Sequence, residues 1–328
     1  MTTSPSAASN PRSAGPELSF AAWQPTCETL HMWLQIAGKI RLTYCRWVNH
    51  QWHGTLYVTA RGLTTLPIPY GPRTLQLDFD FFDHVLRIST SGGDQAEVAL
   101  RPRSVANFHG AVLGELAALG FPVEIHGSPN EVPDPIPFAE NETQAAYDPE
   151  YATRFFRVLS STARVLGAFR SRFVGKSSPV HLFWGAMDLA LTRFSGREAP
   201  EHPGGIPNLP DWVTREAYSH EVFSVGFWPG SEAVPNPIFY AYAYPSPAGF
   251  PESSVDPAAA RWDTDLSEFV LPYEAIRTSG APEDDLMAFL ETTWEAAAEL
   301  GKWDRSALEW GPGEQPRTSG GTPLDQGP

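Results

Sequence analysis

The sequence predicts an α+β protein of two tandem pseudo-repeated halves, each a helix on an antiparallel sheet with a closing C-terminal helix. Three observations carry this expectation. Alternating apolar and polar runs follow one another too closely for βαβ crossovers, so their strands pair antiparallel. A long amphipathic stretch opens each half. Four segments also recur in the same order. AGK at Ala37–Lys39 matches VGK at Val174–Lys176, and His50 and His181 each lie four residues before a glycine. DHVLRISTSGG (Asp83–Gly93) matches HEVFSVGFWPGS (His220–Ser231), and EVALRPRSV (Glu97–Val105) matches EFVLPYEAI (Glu268–Ile276). The expected organisation is a disordered tail over 1–20, a first half over 21–126, a proline-rich linker over 127–147, a second half over 148–310 and a disordered tail over 311–328.

Thr26–Gly38 reads as the first helix, with Leu30, Trp33, Leu34 and Ala37 on one stripe and Gly38 at the stop position. Glu28, His31 and Gln35 form a second stripe, read as a solvated face. Strands follow at 54–61, 74–82, 84–90 and 97–100, with a proline-rich loop after the first and a turn at Ser91–Asp94. Ser104 caps a helix through Val105, Phe108, Val112, Leu116 and Leu119, closed by Gly120. A short edge strand is expected over 122–125. Four prolines in Gly127–Phe138 make it a semi-rigid spacer. Asp148-Pro149-Glu150 opens the second long helix, whose stripe runs from Tyr151 to Phe173 and which Gly175 stops. Val180–Phe194 reads as one long strand headed by His181, and a long loop covers 196–214. Strands at 222–228, 238–244 and 269–271 precede a helix over Pro282–Leu300 that Gly301 closes.

With 328 residues, 42% of them hydrophobic, the chain has ample core for two such halves. A formal net charge of -15 repels phosphate backbones and anionic membranes, and no basic stripe offsets it. No apolar run approaches the ~20 residues of a membrane span. The N-terminal stretch lacks an apolar signal core and is expected to be a polar tail. Cys27 and Cys45 are the sole cysteines, which excludes a disulfide framework and a cysteine-rich zinc site and fits the cytoplasm. The expected partner is a small molecule, with no nucleic acid and no membrane. The residues name no cofactor and no oligomeric state.

Gly175-Lys176-Ser177 lacks the upstream glycine and the following helix of a phosphate loop; Arg170 stands where that glycine belongs. His50 and His53 flank Trp52, but i and i+3 on a strand face opposite ways. If the halves are related by pseudo-symmetry, His50 and His181 converge between them. The expected ligand-binding residues are His50, Trp52, His181, Trp184, Asp188, Arg193, His220, Tyr242 and Tyr244. They would line a cleft for a bound or transformed small molecule, with the tyrosines of FYAYAYP on one strand face. One alternative is a metal-dependent hydrolase using His50, His181, His202 or His220 with Asp188 or Glu221. Another is a non-catalytic scaffold whose aromatic strands are core. Catalytic residues are not assigned, since Gly-x-Ser-x-Gly is absent and Ser-His-Asp sets can be drawn in any chain.

LHMWLQIAGKIRL, LYVTARGLTTLPIPYG, FVGKSSPVHLFWGAMDLALTRFSG, REAYSHEVFSVGFWPG and FYAYAYPSPAGF together resemble a bacterial family of uncharacterised proteins, a domain of unknown function. The resemblance spans about Trp23 to Trp310. It implies a single-family cytoplasmic protein and brings no activity, cofactor or catalytic residue with it.

Overall fold

Helix α1 (Phe20–Tyr44) runs six residues beyond each expected end. Pro25 lies inside the helix, where its missing N–H forfeits one bond and burial of Phe20 and Trp23 holds the first turns in place. Gly38 is not a stop. The Trp184 ring lies against it so closely that a Cβ would come within 2.2 Å of a ring carbon. The glycine is there for close approach, and the helix continues through it.

The computed structural model describes residues 15–206, 209–232 and 234–310. The tail expected over 311–328, and residues 1–14 of the one expected over 1–20, lie outside the described residues. Residues 15–19 are packed, contrary to expectation. Leu18 is buried, Gly15 N–H donates to the Arg277 carbonyl at 3.1 Å, and Tyr273 Oη donates to the Pro16 carbonyl at 2.8 Å.

The first half continues with β1 (Tyr57–Val58), β2 (Gly62–Thr64), β3 (Ile68–Tyr70), β4 (Arg73–Asp80), β5 (Val85–Thr90), β6 (Gln95–Ala99) and α2 (Val105–Ala118). Its antiparallel sheet has the order β1-β2-β4-β5-β6, with β2 and β3 paired to successive parts of β4. Ser104 Oγ accepts the Asn107 N–H at 3.1 Å, and Gly120 takes φ +79° after α2, as the capping pattern requires. Residues 122–125 form no strand.

The second half holds α3 (Pro149–Ser171), β7 (His181–Phe183), β8 (Asp188–Glu198), α4 (Asp211–Ala217), β9 (His220–Trp228), β10 (Ile238–Tyr244), β11 (Arg261–Asp263), β12 (Glu268–Pro272), α5 (Tyr273–Arg277), α6 (Pro282–Leu300) and α7 (Arg305–Leu308). Asp148 Oδ1 caps α3 on the Glu150 and Tyr151 N–H groups. The helix ends before Gly175, which instead lets Leu308 pack closely. The single strand expected over Val180–Phe194 is a hairpin, because Trp184–Met187 turns the chain between β7 and β8. The loop expected over 196–214 includes the end of β8 and the start of α4.

The second sheet has the order β7-β8-β9-β10-β12-β11. Both halves therefore wind the same meander, β1-β2-β4-β5-β6 matching β7-β8-β9-β10-β12. Of the recurring strand segments, EVAL and EFVL fall on equivalent strands, β6 and β12. DHVLRIST lies on the fourth strand of its path and HEVFSV on the third, and Gly38 and Gly175 are not equivalent. The sheets meet at their edges, where Leu56 and Leu182 exchange backbone hydrogen bonds of 3.0 and 2.8 Å. Helix α1 is buried along most of its length, with Trp33 stacked on Phe108 and Trp23 beside Phe155. None of the helices is long and apolar enough to cross a membrane among the described residues.

Candidate functional site

Alternation along β8, β9, β10 and β12 gives the second sheet two different faces. Leu189, Leu191, Phe223, Val225, Phe227, Phe239 and Leu271 turn to the helices and are buried. The other face carries Asp188, Ala190, Thr192 and Phe194 of β8, Val222 and Ser224 of β9, and Tyr240 and Tyr242 of β10, all lining one cavity of about 210 Å³. The register sets Ala190 beside Gly226, and Gly226 beside Tyr240. Gly226 makes room here, since a Cβ would come within 2.4 Å of the Tyr240 hydroxyl. That space lets Tyr240 Oη donate to Asp188 Oδ2 at 2.5 Å.

The hydroxyls form a chain of neighbours. Tyr242 and Tyr218 share a hydrogen bond of 2.7 Å, and Thr192 and Ser224 one of 3.0 Å. Burial pushes Tyr218 up to about 12 and Tyr240 and Tyr242 well above the usual phenol value, so all three stay protonated.

Glu131 enters from the linker and lines the same cavity. Its placement follows from α1. The Gln35 amide accepts from Asn130 N–H and donates to the Asn130 carbonyl, both at 2.9 Å, and Lys39 Nζ donates to Asn130 Oδ1. One turn earlier His31 Nε2 lies 3.0 Å from the Trp184 carbonyl and 2.8 Å from that of Gly185. Gly185 admits the Glu131 carboxyl, since a Cβ there would meet it at 1.9 Å. Of the stripe read as solvated, His31 and Gln35 thus form a seam whose polar groups are satisfied by the β7–β8 turn and the linker, while Glu28 accepts from Gln24 on the same helix. The proline-rich stretch delivers a carboxyl to the cavity.

The carboxyls titrate closer to neutral pH than ordinary carboxyls do. Burial pushes Asp188 up to about 6, against the opposing Tyr240 hydrogen bond. Burial and then the charge of Asp188 push Glu131 up to about 7, and the same two causes lead for Glu268 on β12, raised to about 8. No described residue hydrogen-bonds the Glu131 carboxyl, and no lysine or arginine is among the described residues lining this cavity.

The cover is the turn at 49–54 locked onto α4. His50 and Gln51 both take left-handed backbone, at φ 60° and 55°, which costs about 1 kcal/mol each. Glu216 accepts the His50 N–H at 2.8 Å, and His50 Nδ1 donates to the Ala217 carbonyl at 2.7 Å, leaving Nε2 with the lone pair.

Of the nine residues expected to bind ligand, His50, Trp52, Asp188 and Tyr242 line this cavity. Of the others, Trp184 lines an adjoining chamber, and His181, Arg193, His220 and Tyr244 lie elsewhere. His181 is 0% exposed, packed against Phe183, Tyr57 and Trp52, with neither ring nitrogen hydrogen-bonded. Trp184 is buried against Gly38 and donates to the Gly54 carbonyl at 2.7 Å. Arg193 is on the opposite sheet face, stacked 3.5 Å from the Phe169 ring centre and donating to the Phe169 carbonyl. His220 is exposed beside Ser219, and Tyr244 donates to the Pro200 carbonyl. The donor set of a metallohydrolase is not assembled. His202 accepts from Gly204 N–H and stacks on Tyr218, Glu221 is bound by Ser195 and Arg197, and no three of His, Cys, Asp or Glu among the described residues could hold a metal. Glu131, Tyr218 and Tyr240 also line the cavity; of these, Tyr240 was expected there with the tyrosines of FYAYAYP, and Glu131 and Tyr218 were not. The alternation of FYAYAYP was the available signal for Tyr240.

A family profile matches residues 15–310. The chain belongs to DUF5996, a family of unknown function. No curated protein and no solved structure matches it.

Proposed function

We propose that the cavity binds a small amine-bearing molecule in its cationic form. The observation that carries this reading is the convergence of Asp188 and Glu131 on one cavity with no described basic side chain lining it. A cation set between them relieves both their desolvation and their mutual repulsion, and no described lysine or arginine lines the cavity to do so. Tyrosine faces and Trp52 add attraction for a cation, and the hydroxyl chain supplies acceptors for its N–H groups. Lys176 Nζ lies 5.4 Å from the Trp52 ring centre and 5.1 Å from that of Phe194, so two of the lining rings already face a cation of the chain. The net charge of -15 attracts cations at longer range. Free Cys27 and Cys45 fit a reducing, cytoplasmic setting for this role.

A second reading, an enzyme acting on the bound amine, is favoured by carboxyls held near 6 and 7, where they exchange protons readily at neutral pH. The first test is a thermal-shift panel of primary, secondary and quaternary amines against carboxylates and sugars. An amine at a hundredfold excess over its Kd stabilises by about 2.7 kcal/mol, or roughly 5 °C for a chain of this size. Carboxylates should give no shift. A panel in which amines also give none, as a scaffold would, removes the reading. A bound amine altered after incubation selects the enzyme.

A further inference from the structure

The acidic cavity adjoins a second chamber of about 400 Å³; Gln51, Glu131, Phe183, Leu209 and Val213 line both. The second chamber has the opposite charge requirement. Lys39 lines it, is 3% exposed, and among the described residues has one hydrogen bond, to neutral Asn130 Oδ1, with the Trp184 ring centre 5.5 Å from its Nζ. No described carboxylate forms an ion pair with it, Glu131 included. An ammonium has three donors, and burying one without an anion is costly. The cost is visible in the lysine itself, which burial alone lowers to about 8.

We propose that the two chambers form one site for a zwitterion whose ammonium occupies the acidic cavity and whose carboxylate or phosphate meets Lys39. This rests on the amine reading above and adds the other end of the ligand. The middle of the ligand is apolar, because the shared wall offers it Phe183, Leu209 and Val213. Trp47 and Trp212 line the same chamber while 46% and 58% exposed, with ring centres 5.2 Å apart, and form an aromatic lip at its mouth. Each buried charge then meets its opposite, and the ligand, not the chain, completes the pairing across the seam.

Titration calorimetry on the full chain tests this with ω-amino carboxylates from 4-aminobutanoate to 8-aminooctanoate, ω-aminoalkyl phosphates of the same lengths, and the matching n-alkylamines. The expected result is a preferred length at which an amino carboxylate or amino phosphate binds at least about tenfold tighter than its amine, as a buried charge pair gives. The better of the two anions identifies the second headgroup. Lys39→Met should erase the advantage. Lys39→Gln, which keeps a donor for Asn130, should erase it too and guards against misfolding. Amines that bind as tightly as their amino acids at every length overturn the two-chamber site and leave the amine reading standing. If no amine and no amino acid binds, both fall.

Discussion

Asp188→Asn should be more stable than the wild type above pH 7 and should lose amine binding. A carboxyl whose native value lies above its unfolded one keeps its proton in the fold after the unfolded chain has released it. Stability is then full below the unfolded value and declines as pH rises through the native value. For Asp188 that window runs from 3.8 to about 6, for Glu131 from 4.5 to about 7, and for Glu268 from 4.5 to about 8. Removing the Asp188 charge at pH 8 recovers about 3 kcal/mol, or roughly 6 °C in Tm. It also lightens the load on Glu131 and Glu268, which repel it. Asparagine keeps an oxygen for the Tyr240 hydroxyl, so the pocket retains its shape. The check is Tm from pH 5 to 8 for wild type, Asp188→Asn and Glu131→Gln. Wild-type Tm should fall across the range and the variants should fall less. Parallel curves would mean the carboxyls are not held near neutrality. A stabilising substitution that destroys ligand binding is the expected signature of a binding site, where charge is retained at the expense of stability.

His181→Leu should be tolerated at pH 7, with a gain of about 1–2 kcal/mol, because two unsatisfied ring nitrogens leave a fully buried position. The larger effect is at acid pH. Burial lowers His181 from 6.5 to about 3, so the native protein holds a neutral imidazole that the unfolded chain protonates below 6.5. That contribution to stability is present above 6.5 and is lost as pH falls toward 3. His181→Leu should therefore move the acid-unfolding midpoint downward, while His181→Lys, which adds a buried charge with no partner, should prevent folding. A loss of more than about 2 kcal/mol in His181→Leu at pH 7 would show that the imidazole has a polar partner or a role that burial does not explain. Together the histidine and the carboxyls bound a stability maximum between the two limbs.

The parts of this molecule that were legible from sequence are those set by near neighbours in the chain. Ser104 and Asp148 announce their helices through caps, and FYAYAYP announces a two-faced strand through its period. Asp188, His50 and Trp52, expected to share a cleft, line one cavity. What failed depends on distant contacts. The polar stripe Glu28–His31–Gln35 reads as solvated because the acceptors for His31 and Gln35 lie 95 to 154 residues away. Gly38 reads as a helix stop because the indole that needs its space belongs to Trp184. Glu131 sits among prolines in a stretch whose composition says spacer, and nothing local signals that α1 fastens it over Gly185. Arg193 and His181 follow the same lesson from the other side. A charged or titratable residue on a strand suggests a site, yet the guanidinium is stacked in an aromatic core and the imidazole is packed away.

The most direct test of the central claim is the proton count of binding. n-Hexylamine, cationic throughout the neutral range, is titrated into the full chain at pH 6.5 in two buffers of different ionisation enthalpy. A cation seated between Asp188 and Glu131 must lower both carboxyls, so binding should release up to about one proton per ligand, and Glu131→Gln should reduce that number. Binding with no proton release, or with release that Glu131→Gln leaves intact, would contradict the account.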